Sequence, residues 1–120
     1  MKFLLIFLGG GLGSVFRYAI SKYLNNLETP IPYGTLLVNV LGSFLIGIIL
    51  GLSMKNNGIS QNQTLFFAVG FCGGFTTFST FAFENNTFLK NGDYLNFAWY
   101  ILLTVIIAIT AVMLGLFLTK

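Results

Sequence analysis

Charge is scarce in this sequence and histidine is absent: six Lys or Arg and three Asp or Glu serve 120 residues. So few ionised side chains cannot solvate the surface of a water-soluble globule. Without histidine, and with Glu84 as the only acidic residue inside an apolar segment, no general acid–base pair is available, which argues against an enzyme. Cys72 is the single cysteine and lies in an apolar run. An internal disulfide is therefore excluded, a thiolate metal site is implausible, and packing is its expected role. Lys and Arg stand singly rather than in clusters, so the net charge of +3 does not point to nucleic acid.

What the sequence has is hydrophobic length. Four stretches reach the ~20 mostly apolar residues of a bilayer span: Phe3 to Tyr23, Tyr33 to Met54, Thr64 to Leu89 and Leu95 to Thr119. The expected fold is all-α and integral to the membrane, a single domain over residues 1–120 with four transmembrane helices. Short connections make consecutive spans antiparallel neighbours and leave no room for a soluble domain. Met1-Lys2 ahead of an apolar run has the outline of a signal peptide, but the run continues to Tyr23 without an Ala-x-Ala site, so it is expected to remain as a span. Positive charge is nearly balanced across the membrane: Lys2, Lys55 and Lys120 on one side, Lys22 and Lys90 on the other, with Arg17 near the second. That balance fits insertion in both orientations with assembly as an antiparallel homodimer. It fits equally a single orientation fixed by a partner or by lipid.

Gly9-x-Gly11 is not a dinucleotide turn, because Ser14 replaces the third glycine and no strand–helix alternation follows. The Gly9/Gly13 spacing instead lets a second helix backbone come close. Arg17, about one and a half turns from the end of span 1, either snorkels to the interface or serves an aqueous vestibule. In span 2, Thr35, Asn39, Ser43, Gly47 and Gly51 recur every four residues and share a helix face. Asn39 needs partners for its carbonyl and its amide, either as glue between helices or as a donor lining a pore.

Span 3 joins Gly73-Gly74 to Thr76, Thr77, Ser79 and Thr80, a combination that weakens a helix and predicts a break near mid-membrane. Carbonyls freed by such a break are natural ligands for a bare cation. Phe78 and Phe81, with Phe75 a further turn back, form a stripe whose positive ring edges can face an anion beside Asn39, Ser79 and Thr80, although most aromatic stripes are packing. Glu84, a turn beyond, suits a vestibule or structural role. In span 4, Asn96, Tyr100 and Thr104 form a polar line, with Trp99 and Tyr100 also placed to anchor an interface. The glycosylation patterns at Asn62 and Asn85 adjoin or enter spans and are disregarded.

Three motifs, in order, resemble the bacterial fluoride channel family known as Fluc or CrcB. They are Gly9-Gly10-Gly11-Leu12-Gly13-Ser14-Val15-Phe16-Arg17-Tyr18, Gly34-Thr35-Leu36-Leu37-Val38-Asn39-Val40-Leu41-Gly42-Ser43-Phe44, and Gly70 to Phe81 with its Gly73-Gly74-Phe75-Thr76-Thr77-Phe78-Ser79-Thr80-Phe81 core. The resemblance covers the whole chain in span number and length. It implies an antiparallel, dual-topology homodimer in the bacterial plasma (inner) membrane, exporting cytoplasmic fluoride through two pores at the subunit interface and so conferring fluoride resistance. It also implies a structural sodium ion at the dimer centre, held by backbone carbonyls at the positions of Gly73 and Thr76. Asn39, Phe78, Ser79, Thr80 and Phe81 match its fluoride pathway, Tyr100 and Thr104 are members of a span 4 track in which Ala108 lacks the expected hydroxyl, and Arg17 matches a vestibule or stability residue. The rival from another class is a small multidrug-type dual-topology transporter, which needs an acidic residue deep in span 1, and span 1 has none.

Overall fold

Long apolar runs become helices in a bilayer because only a helix satisfies every backbone polar group within its own segment. The computed structural model, which describes residues 1–25 and 28–120, has four helical segments long and apolar enough to span: Lys2–Leu24, Tyr33–Ser53, Gln61–Lys90 and Tyr94–Leu118. The first, second and fourth are the continuous helices α1 (Lys2–Leu24), α2 (Tyr33–Ser53) and α6 (Tyr94–Leu118). The third is composite: α3 (Gln61–Thr64), a π-helical stretch Leu65–Cys72, α4 (Gly73–Phe75) and α5 (Phe78–Lys90). Between α4 and α5, Thr76 (φ −85°, ψ 158°) and Thr77 (φ −148°, ψ 122°) are extended. Span 3 begins at Gln61, ahead of its apolar run, because Ser60 and Gln63 form a capping box: Ser60 Oγ accepts from the Gln63 N–H at 3.2 Å and Gln63 Oε1 from the Ser60 N–H at 2.9 Å.

Glycines decide which spans pack. A Cβ at Gly9 would overlap the carbonyl oxygen of Phe66, one at Gly13 that of Phe71, and one at Gly74 that of Gly10. Likewise a Cβ at Gly51 would overlap Thr119 Oγ1, while one at Gly115 would lie 2.5 Å from the Phe44 carbonyl oxygen. Both sets of contacts advance in the same direction along their two helices, so span 1 lies parallel to span 3 and span 2 parallel to span 4. The closest packing thus joins alternate spans rather than the sequence neighbours expected from short loops. Gly9 and Gly13 serve close approach, as their spacing suggests. The Lys55 ammonium donates to the Lys120 carbonyl at 3.3 Å, which holds these two basic residues at one end of the bundle.

These contacts carry a stability prediction. Gly13→Ala is expected to lower the stability of the purified protein in detergent by roughly 2 kcal/mol through overpacking against backbone that cannot swing aside. Gly11→Ala, where an added Cβ meets nothing within 4 Å, is the control expected to unfold no earlier than the parent. Equal thermal unfolding of the two variants would remove the close-approach explanation.

Candidate functional site

The backbone of the Thr76–Thr77 step is held by the side chain of Asn39 on α2. Asn39 Nδ2 donates to the Thr77 carbonyl at 3.1 Å, and the Thr77 N–H donates to Asn39 Oδ1 at 2.7 Å. One amide side chain thereby replaces the helical partners of two backbone groups, as an adjacent strand would. Thr77 Oγ1 then accepts from the Thr80 N–H at 3.2 Å, making Thr77 the N-cap of α5. Upstream, the Thr76 N–H and hydroxyl both donate to the Cys72 carbonyl, at 3.0 and 2.9 Å.

This bonding removes partners elsewhere. The N–H that a continuous helix would bring to the Gly73 carbonyl belongs to Thr77, and it is given to Asn39. The one due to the Thr76 carbonyl belongs to Thr80, and it is given to Thr77 Oγ1. Between them, the Gly74 carbonyl accepts from Arg17 Nε at 2.9 Å, so Arg17 ties span 1 to the end of α4, where a cation complements the helix dipole. The backbone departs from helix at the two threonines rather than at Gly73-Gly74, which remain α-helical, Gly74 pressed against α1.

A cavity of about 460 Å³ opens beside this step. Asn39, Ser43, Cys72, Gly73, Thr76, Thr77, Phe78, Phe81, Thr104 and Ala108 are among its lining residues. Thr104 lines the cavity, and its hydroxyl is buried with no hydrogen-bond partner among the described residues, which is unusual enough to require an explanation. The Phe78 and Phe81 rings lie 6.0 Å apart at 50°, Phe78 79% exposed and Phe81 9%. Phe81 rests in turn on Tyr100, with ring centroids 5.0 Å apart. Phe75 does not continue the stripe: the extended threonines separate it from the pair, and it stacks on Phe71 at 5.5 Å. Ser79 is exposed, its hydroxyl 3.4 Å from that of Thr77, and Thr80 is half-buried; neither is among the cavity's lining residues.

Glu84 and Tyr100 belong to a separate network behind the ring pair. The buried Tyr100 hydroxyl donates to Glu84 Oε1 at 2.8 Å, and the buried Thr35 hydroxyl donates to Oε2 at 2.6 Å. Asn25, at the C-terminal end of α1, bonds Thr35 twice, through its side-chain N–H to Oγ1 at 3.1 Å and through its Oδ1 from the Thr35 N–H at 3.2 Å. Thr35 was legible in the four-residue ridge leading to Asn39 and in the second sequence motif, but not as a partner of Glu84, and Asn25 carried no signal at all. The polar line of span 4 begins at Tyr100, since Asn96 turns back to Asp93 Oδ2 at 2.7 Å in the first turn of α6. Among the described residues no cluster of three or more His, Cys, Asp or Glu could hold a metal ion.

The sequence profile described as CrcB-like protein, Camphor Resistance (CrcB), matches residues 4–116. The chain is 45% identical over 120 residues to the fluoride-specific ion channel FluC of Azobacteroides pseudotrichonymphae, covering 99% of this chain and 96% of that one. It is 46% identical over 119 residues to the protein of the same name from Phocaeicola vulgatus, covering 98% and 97%, and 44% identical over 114 residues to that of Bacteroides fragilis, covering 92% and 89%.

Proposed function

This chain belongs to the CrcB-like family, and from that premise we propose that it is a fluoride-selective channel exporting cytoplasmic fluoride down its electrochemical gradient. It is a channel and not an enzyme. The observation that carries the reading is the meeting, around one cavity, of Asn39, the Phe78–Phe81 pair and Thr104, whose buried hydroxyl has no partner among the described residues.

The chemistry follows from these groups. A fluoride ion entering a narrow path sheds most of its water and must be met by donors in its place. The Thr104 hydroxyl has its proton to give, and the Asn39 amide, after donating one N–H to Thr77, retains a second. The phenyl rings offer positive edges and no full charge. Ser79 and Thr80 extend the donor set beyond the cavity. Neutral donors hold the ion weakly enough to release it, as conduction requires. Arg17, engaged with Gly74, acts as a structural or vestibule residue in this scheme. Tyr100 acts through Glu84 and through the packing of Phe81 rather than as a direct ligand.

In the proposed assembly a second, antiparallel copy in the bacterial inner membrane covers the exposed Gly73 and the Phe78 ring. Sodium at the dimer centre would be held by the Gly73 and Thr76 carbonyls, whose helical donors are engaged elsewhere, and would join the two span 3 breaks. The small multidrug-type alternative is not favoured, since no acidic residue lies within α1.

Purified protein in liposomes is expected to release fluoride rapidly when the potential is short-circuited, with chloride largely excluded. Chloride flux equal to fluoride flux would end the selectivity claim, and no flux of either would end the channel reading.

A further inference from the structure

We propose that Asn25 is a positioning residue of this channel: it fixes the direction in which Thr35 gives its hydroxyl proton, and through Thr35 the setting of the Glu84 carboxylate. The inference rests on the channel reading above and adds a residue from outside all three sequence motifs.

The geometry begins with a defect in α2. Its N-cap is Pro32, which supplies no side-chain hydrogen bond, so the first N–H groups of the helix lack the usual capping acceptor. Asn25, reaching over from the end of α1, supplies one: its Oδ1 accepts from the Thr35 N–H at 3.2 Å. Gly34 leaves room for this approach, since a Cβ there would stand 2.6 Å from Asn25 Oδ1 and 2.9 Å from the Ser21 Cα.

The same bond settles the amide's orientation. A backbone N–H can only donate, so the atom facing it must be the amide oxygen, and Nδ2 is thereby turned toward Thr35 Oγ1, 3.1 Å away. A hydroxyl has a single proton. With Oγ1 accepting from Asn25, that proton is directed to Glu84 Oε2 at 2.6 Å. Tyr100 occupies the other carboxylate oxygen at 2.8 Å, and its ring lies against Phe81, the inner member of the cavity's ring pair. Replace the Asn25 N–H with an acceptor, as Asn25→Asp does, and the Thr35 hydroxyl is free to turn its proton toward the new carboxylate oxygen instead of Glu84. Glu84 then loses one of its two fixed donors.

Asn25→Asp separates this role from simple capping. It keeps an oxygen for the Thr35 N–H but removes the donor to Oγ1. The expected result is unfolding in detergent at the wild-type temperature, with fluoride efflux slowed roughly fivefold, the size of one net hydrogen bond. An added carboxylate also repels anions, so the substitution is repeated on a Thr35→Val background, with that variant's own efflux as reference. There no proton remains to be directed, and the further slowing is expected to shrink to under twofold, which is less than about 0.4 kcal/mol. Wild-type efflux from Asn25→Asp overturns the inference, because Asn25 is then only a cap. Equal slowing on both backgrounds overturns it too, because charge alone is then responsible. Wild-type vesicles that conduct no fluoride overturn the channel reading itself, a result distinct from either.

Discussion

Fluoride efflux is expected to fall about tenfold when Phe78 is replaced by isoleucine, the kinetic equivalent of about 1.4 kcal/mol at the barrier, while the protein stays folded. Isoleucine preserves hydrophobic bulk but has no ring, and therefore no positive edge to set against an anion. Phe78 is 79% exposed in the single chain, so little packing within the subunit depends on it. Phe81→Ile is expected to impair efflux to a similar degree but with a structural penalty. Its ring is 9% exposed and sits between Phe78 and Tyr100, and losing two ring pairs removes roughly 1 to 3 kcal/mol beyond buried area. The contrast is the informative part: one variant slow and stable, the other slow and less stable. Undiminished efflux from both would mean that the rings only pack.

Asn39→Leu should do the greatest damage to stability of any single change at the site. Leucine shares asparagine's branching at Cγ and its number of heavy atoms, so the loss is mainly chemical: the Thr77 N–H and carbonyl are left without the partner that holds the extended step. Two orphaned backbone groups away from water cost roughly 2 to 6 kcal/mol. Hydrogen bonds between side chains in membrane helices average only ~0.6 kcal/mol each, because the separated helices find other partners. Reversible unfolding in mixed micelles discriminates between the two. A loss near 1 kcal/mol would show that Thr77 rebonds by rejoining the helix and that Asn39 is ordinary glue. A loss of 2 kcal/mol or more, as argued from the orphaned groups, would establish it as the clamp of the step. Efflux should vanish in either case, since the amide's remaining N–H is lost with it.

Much of the architecture was legible because bilayer insertion depends on composition over long windows. Scarce charge and four apolar runs were enough for span number and for limits close to those observed. The site was legible in kind but not in connection. Asn39 stood out because an amide in an apolar helix must find partners, yet nothing in the sequence identified that partner as the Thr77 peptide. The glycine pair drew attention to the right part of span 3 for a reason that holds only in part, since Gly74 serves close contact with α1 and the extended residues are Thr76 and Thr77. Arg17 was readable as either vestibule or structural, and its bond to Gly74 requires knowing that spans 1 and 3 touch. Thr35 and Asn25 were missed as members of the Glu84 network because hydroxyls and amides near helix ends are common, and only the fold brings these to a carboxylate far along the chain. The π-helical stretch Leu65–Cys72 had no sequence signal that distinguishes it from an ordinary apolar helix.

The parallel pairing of alternate spans also bears on biosynthesis. Gly9 and Gly13 cannot find their seats until the backbone of residues 66–75 has been made, nor Gly47 and Gly51 until α6 is complete. At a synthesis rate of roughly 5 to 20 residues per second, each early span waits several seconds in the translocation machinery or in lipid before its partner emerges. During that interval only the contacts between α1 and α2 are available to the chain. Loop lysines and arginines thus act on which way the chain faces before the structure that will depend on it exists.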